Sequence, residues 1–197
     1  MTVIRRLVAD ERASSAAEFA LVLPLLLTLL FLSIDGGRYL YDSNRIEKAT
    51  QFGSRFAVVT DPVATDLTTD EFVGQSVDGV TLTQGDRIPA DALSTITCTS
   101  TDCGEGHTYN KDAFKNIVNH MKLIMPEIQP SDVTVTYSGS GLGYAGDPGG
   151  MQISPLVTVT VNNLTWQPIS GFLFINASYP AIGTTLSAED SVGSQSN

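Results

Sequence analysis

Sixteen consecutive residues without a charge, Phe19–Ile34 (FALVLPLLLTLLFLSI), constrain this chain more than any other feature in it. Eight Leu, two Phe, Val22 and Ile34 make twelve strongly apolar side chains. At about −0.3 to −0.6 kcal/mol each, they favour insertion into a bilayer by roughly 4–7 kcal/mol. Pro24, Thr28 and Ser33 reduce that sum without reversing it. Extended back to Ala16, the run reaches about 28 Å as a helix, close to the ~30 Å hydrocarbon core. The sequence thus predicts one membrane span at about 16–34. A removable signal peptide fits less well, because the run exceeds the usual apolar stretch and no small-x-small cleavage site follows it closely.

Charge is distributed unevenly around this run. Arg5, Arg6 and Arg12 precede it, and Arg38, Arg45, Lys48 and Arg55 follow it. The first basic cluster sets the expected orientation, with a short cytoplasmic leader (1–13) and the bulk of the chain outside. The formal net charge is −10, and from Val59 onward fifteen acids face only Arg87, Lys111, Lys115 and Lys122. Such a domain repels phosphate backbones, so nucleic acid is excluded as a partner.

The helix is predicted to outlast the membrane. Ile46, Ala49, Gly53 and Phe56 form one apolar stripe at 3/4 spacing, and breakers arrive only at Thr60-Asp61-Pro62. One helix over 14–59 would be roughly 69 Å long, with an amphipathic outer half that must lie on its own domain or on a partner.

The remainder, 60–190, reads as a small α+β domain with an antiparallel sheet. A short helix is expected near Asp70–Val77, and strand signals are weak at Thr81–Thr83, Ile88 and Leu93–Thr97. Asn110 can cap a helix whose Phe114, Ile117, Val118, Met121 and Met125 share a face, with Pro126 ending it. Val133–Tyr137 and Leu156–Val161 alternate as half-buried strands, and Phe172–Ala177 is a third candidate. Residues 191–197 read as a disordered tail. Cys98 and Cys103 (CTSTDC) suit a disulfide in an oxidising compartment, with two free thiols as the alternative; a metal site lacks a second Cys/His pair.

Several motifs do not carry function. Gly141–Gly146 matches G-x-G-x-x-G, but Asp147-Pro148-Gly149-Gly150 follows where a dinucleotide site needs a helix. Asp61, Asp66, Asp70 and Glu71 fit no calcium loop and read as a solvated connection. His107 and His120 read as surface residues, and Trp166 as a packing residue. No nucleophile elbow or triad stands out, and no cofactor is called for.

Glu18 is the residue a passive anchor does not need. A carboxylate at the edge of an apolar run is costly unless paired or held at the interface. Ser15-Ala16-Ala17-Glu18 matches a capping box at a helix start, which is one explanation. The other comes from the surrounding stretch, ERASSAAEFALVLPLLLTLLFLSIDGGRYLYDSNRIEKATQFGSRFA. Its linked elements are a basic leader, small residues Ala13–Ala17, Glu18-Phe19, Ala20–Pro24, Asp35-Gly36-Gly37-Arg38 and Gly53-Ser54-Arg55. Together they resemble the N-terminus of the TadE-like family, pseudopilins of the tight-adherence (Tad or Flp) branch of type IV pili.

The resemblance implies cutting by a prepilin peptidase between Ala13 and Ser14, which leaves Glu18 at the fifth mature position. The family usually has Gly before the cut, where this chain has Ala13. It further implies that Glu18, with Phe19 beside it, pairs with the N-terminal ammonium of a neighbouring subunit. The expected partners are inner-membrane lipid, the prepilin peptidase, other pilin-like subunits and the Tad secretion machinery. The expected location is the bacterial inner membrane, single-pass, with an extracytoplasmic C-terminal domain, or the pilus itself. The rivals are a membrane-anchored binding or adhesin module outside any filament, and an anchored enzyme with no visible motif.

Overall fold

The computed structural model describes residues 11–148, 151–171 and 177–188. The leader with Arg5 and Arg6, most of the candidate strand Phe172–Ala177 and the 191–197 tail therefore lie outside the described residues. The architecture is α+β, as the sequence predicts: a long N-terminal helix followed by a domain with antiparallel sheets and a second helix.

The long helix, α1, is Glu11–Ala57, longer at its start than the sequence predicts. Pro24 lies inside it. A proline there withholds one N–H and crowds the preceding turn, yet the helix continues. The polar residues of the apolar run are internally satisfied: Thr28 Oγ1 donates to Pro24 O at 2.7 Å and Ser33 Oγ to Leu29 O at 2.8 Å. Back-bonding of this kind lets a hydroxyl enter an apolar environment without a lost hydrogen bond.

The chain divides into two compact units. One comprises residues up to Asp42 together with Thr165–Ala177; the other comprises Ser43–Leu164 and Ser178–Asn197. The second unit holds the main core. Its strands are β1 (Ser76–Val77), β2 (Val80–Thr81), β3 (Ile96–Cys98), β4 (Val133–Ser138), β5 (Leu156–Val161) and, beyond the short β6 (Thr165–Trp166) and β7 (Ala177–Ser178), β8 (Ile182–Ser187). A four-stranded antiparallel sheet runs β3-β4-β5-β8.

Alternation sets the register of that sheet. Val133, Val135 and Tyr137 sit directly opposite Val161, Val159 and Val157, and all six are buried. A one-residue slip would turn all of them outward, so burial specifies this pairing strongly. The helix α2 (Lys111–Lys122) covers the sheet with the predicted face: Phe114, Ile117, Val118 and Met121 are buried. Asn110 caps it, its side chain accepting from the N–H groups of Asp112 and Ala113.

The predicted stripe on the outer half of α1 packs on its own domain. Ile46, Ala49 and Phe56 are buried, and Gly53 lies so close to Met121 and Val159 that a Cβ there would sit 2.7 Å from Met121 Cγ. Ser54 Oγ donates to Thr184 O at 2.7 Å, tying the helix to β8. His120, expected as a surface residue, is half-buried and stacked on Phe56 at 4.8 Å between ring centroids.

Three expectations need correcting. No helix forms at Asp70–Val77. That stretch turns, then enters the hairpin β1-β2, where Asp78 (φ 51°) and Gly79 (φ 80°) supply the two positive-φ positions of a two-residue loop. The fourth strand of the sheet is β8, a segment the sequence does not mark as a strand. The acidic connection is not simply solvated, because Asp66 accepts the Thr108 N–H at 2.6 Å and lies 3.4 Å from His107 Nδ1. The ring of His107 is half-buried there rather than on the surface.

Cys98 and Cys103 are joined in a disulfide at the end of β3. It closes a loop of about six residues, for which chain-entropy reasoning gives roughly 2 kcal/mol of stability. Reduction, or Cys98→Ser with Cys103→Ser, is expected to lower the unfolding free energy by about that amount in denaturant titration. Tyr137 is 1% exposed, and its hydroxyl accepts the Val63 N–H at 2.8 Å. Burial pushes the phenol pKa far above its ordinary value. Tyr137→Phe leaves the Val63 donor unpaired and is expected to cost about 1–3 kcal/mol in the same titration.

Candidate assembly segment

The N-terminal half of α1 is exposed along its apolar length. Phe19 is 62% exposed, Leu21 80% and Leu25 72%. Within Ser15–Ala57, an 18-residue window has a mean hydropathy of 2.3 and none of it is buried. A run of exposed apolar residues this long marks a membrane or partner surface rather than a water-facing helix. It is the one helix among the described residues long and apolar enough to cross a membrane.

Glu18 stands exposed at the start of this run. The helix already begins at Glu11, so Ser15 is inside it and cannot serve as its N-cap. In the full-length chain Ser15–Glu18 is therefore not a capping box at a helix start. Ala13 and Ser14 both lie within the helical stretch, on the same continuous backbone as Glu18 and Phe19.

At the far edge of the run, Asp35 is 2% exposed. Its carboxylate accepts the N–H of Ile169 at 2.8 Å, the N–H of Ser170 at 2.8 Å and Ser170 Oγ at 2.6 Å. Arg38 Nη1 lies 3.5 Å away. Near neighbours cover this carboxylate, which is not sunk in a core. That partial desolvation works to raise its pKa, but the hydrogen bonds from Ser170 and Ile169 and the charge of Arg38 outweigh it, leaving the pKa below the ordinary 3.8. In the sequence, Asp35-Gly36-Gly37-Arg38 stands only as one element of the TadE-like resemblance. The missed signal was an acid placed directly after an uncharged run, with a cation three residues on. In the same unit, Trp166 packs edge-on against Tyr39 at 5.5 Å, which fits its reading as a packing residue.

The sign of the Asp35 shift fixes a pH dependence. A carboxylate with a depressed folded-state pKa contributes stability at neutral pH and loses it as pH falls through that lower value. Protection of the Ile169 and Ser170 amides, corrected for intrinsic exchange, is therefore expected to hold from pH 7 to pH 5 and to collapse only below about pH 3.8. Asp35→Ala should accelerate exchange of both amides roughly tenfold or more at pH 7.

Residues 13–55 match the family model described as TadE-like protein. The chain carries a TadE-like domain. Its bounds fall almost on those of α1, so this domain is the long helix itself, from the small residues before Glu18 to Arg55. Glu18, Phe19, Asp35, Arg38 and Gly53 all lie inside the match. No curated protein and no solved structure gives a significant match to the chain. The TadE-like family is generally non-enzymatic.

Gly36 and Gly37 have no neighbour within 4 Å among the described residues, whereas Gly53 is in close contact with its own domain. The TadE-like helix thus uses one of its small residues internally and leaves two open.

Proposed function

We propose that this protein is a minor pilin or pseudopilin of a Tad/Flp-type pilus system. It is trimmed by a prepilin peptidase between Ala13 and Ser14 and retained in the bacterial inner membrane with its domain outside. It catalyses no reaction and needs no cofactor; its work is to prime, cap or support an assembly used in adhesion or secretion. One observation carries this reading: an exposed apolar helix that falls in the TadE-like match and bears an exposed carboxylate at its start.

In this reading Glu18 lies four residues from the new N-terminus at Ser14. A free carboxylate and a free ammonium are each costly near lipid, and pairing them between neighbouring subunits lowers both costs and sets a register. Helix packing through Gly36 and Gly37 brings the neighbours close. The prepilin peptidase, sister pilins and the Tad machinery are the partners this implies.

The deciding measurement is the mature N-terminal sequence from cells with and without a prepilin peptidase. The expected result is a chain starting SSAAEF only when the peptidase is present. A chain starting at Met1 in both backgrounds would discard the processing step.

A further inference from the structure

Three of the four basic residues that follow Val59 line one groove. We infer that this groove, on the outer side of α2, is a docking site for an acidic peptide segment of a partner protein that carries an apolar side chain. The groove has a volume of about 240 Å³ and is lined by Tyr109, Phe114 and Val118 with Lys111, Lys115 and Lys122. The inference rests on a different part of the molecule from the proposed membrane-helix assembly and stands without it.

The positions are not scattered. At 100° per residue, Lys111, Lys115 and Lys122 fall within about 40° of one another around α2, and they span about 16 Å along it. That is the reach of an extended peptide of about five residues. No carboxylate among the described residues lies within 4 Å of any of these three ammonium groups. The fourth basic residue, Arg87, is occupied elsewhere, its Nε donating to Gly141 O at 2.6 Å. Three of the four basic residues after Val59 thus lie along one helix face, without a carboxylate partner among the described residues, against fifteen acids in the same stretch. Such a stripe on an otherwise negative surface focuses the field and selects an anionic partner by complementarity.

The apolar lining decides between anions. A polyphosphate or acidic glycan would satisfy the lysines and leave Tyr109 and Pro130, the accessible apolar lining over the buried Phe114 and Val118, unused. A peptide can place carboxylates on the stripe and an apolar side chain in the groove at once. The chain's own acidic connection is a poor occupant, because Asp66 is held by the Thr108 N–H and Leu67 is fully buried.

The test uses the full chain in nonionic detergent and a fluorescein-labelled peptide of sequence Asp-Glu-Phe-Glu-Asp, followed by anisotropy. The expected result is saturable binding, weakened about tenfold or more by the combined change Lys111→Glu, Lys115→Glu and Lys122→Glu, and weakened also when the peptide's Phe is replaced by Gly. The near-UV spectrum should be unchanged in the variant. A milder Lys→Gln set at the same positions should weaken binding in the same direction, and reads the site if the Glu set fails to fold. Absence of saturable binding, or equal affinity in the Gln set, would overturn the inference. Tighter binding of polyphosphate than of the peptide would reassign the groove to an anionic polymer. Lysine-dependent dimerisation without peptide would reassign it to a second copy of the chain.

Discussion

Glu18→Ala is expected to leave the protein in the membrane at its normal level and to remove it almost completely from any filament. A single anionic residue at the centre of a membrane helix costs about 2.5–3.5 kcal/mol on the insertion scale, and less near the interface. Replacing it with Ala makes insertion easier, so loss of assembly could not be blamed on loss of the anchor. Failure to pair with a neighbour's ammonium leaves that charge uncompensated, and a few kcal/mol per contact is a hundredfold or more in assembly equilibrium. Glu18→Gln keeps the shape and the helix while removing the charge, so it should fail nearly as badly. The readout is co-fractionation with sheared pili beside the amount in the membrane fraction. Normal incorporation of both variants would show that the carboxylate has no part in assembly.

Gly53→Leu should strongly destabilise the folded domain. A Cβ at this position would lie 2.7 Å from Met121 Cγ, 2.9 Å from its Sδ and 3.2 Å from Val159 Cγ1. Met121 and Val159 are both fully buried, so neither can swing into solvent. Three further carbons of Leu would have to enter the same space. Overpacking of this kind costs about 1–3 kcal/mol, occasionally more, and the upper end is expected here. The better helix propensity of Leu returns less than about 1 kcal/mol. Gly53→Ala is a milder contrast: its single added carbon still forces the Met121 side chain to shift, and the gain in propensity offsets part of that cost. Gly36→Ala and Gly37→Ala meet nothing within 4 Å and should stabilise α1 slightly. Denaturant titration of the three sites separates these cases. A Gly53→Leu chain as stable as wild type would mean that α1 does not pack on Met121 and Val159.

What was legible in the sequence follows the strength of local signals. The apolar run, the capped helix after Asn110 and the two valine-rich strands each declare their own structure, because period and burial agree within a few residues. The hairpin at Val77–Val80 was legible too, since Asp-Gly is the commonest pair for its two-residue loop; a weak helical pattern at Asp70–Val77 masked it. By contrast, β8 (Ile182–Ser187) carries Gly183 and two Thr, and its burial only alternates between intermediate and exposed. Nothing in such a segment says strand until a neighbour supplies hydrogen bonds, which β5 does along its whole length.

The candidate site divides in the same way. Ala13, Ser14, Glu18 and Phe19 were found by their order along the chain, which a linear motif preserves. Asp35 was seen only as spacing, because its meaning depends on Ile169 and Ser170, more than 130 residues away. In the sequence the lysines of α2 stand only as three of the four basic residues after Val59; the groove beside Tyr109 belongs to the tertiary structure.

The sequence by itself determined that this protein has one apolar helix able to cross a membrane, that the helix continues as an amphipathic one, and that an acidic α+β domain follows. Those properties depend on composition and period, which need no partner to be read. Only the tertiary structure decided that the amphipathic half is satisfied by its own domain and that Ser15 caps nothing. It alone placed the Asp35 carboxylate against the backbone at Ile169 and Ser170 and gathered three lysines on one groove. The packing of the outer helix half and the Asp35 contact depend on groups far apart in sequence meeting in space, and a one-dimensional pattern does not carry that information.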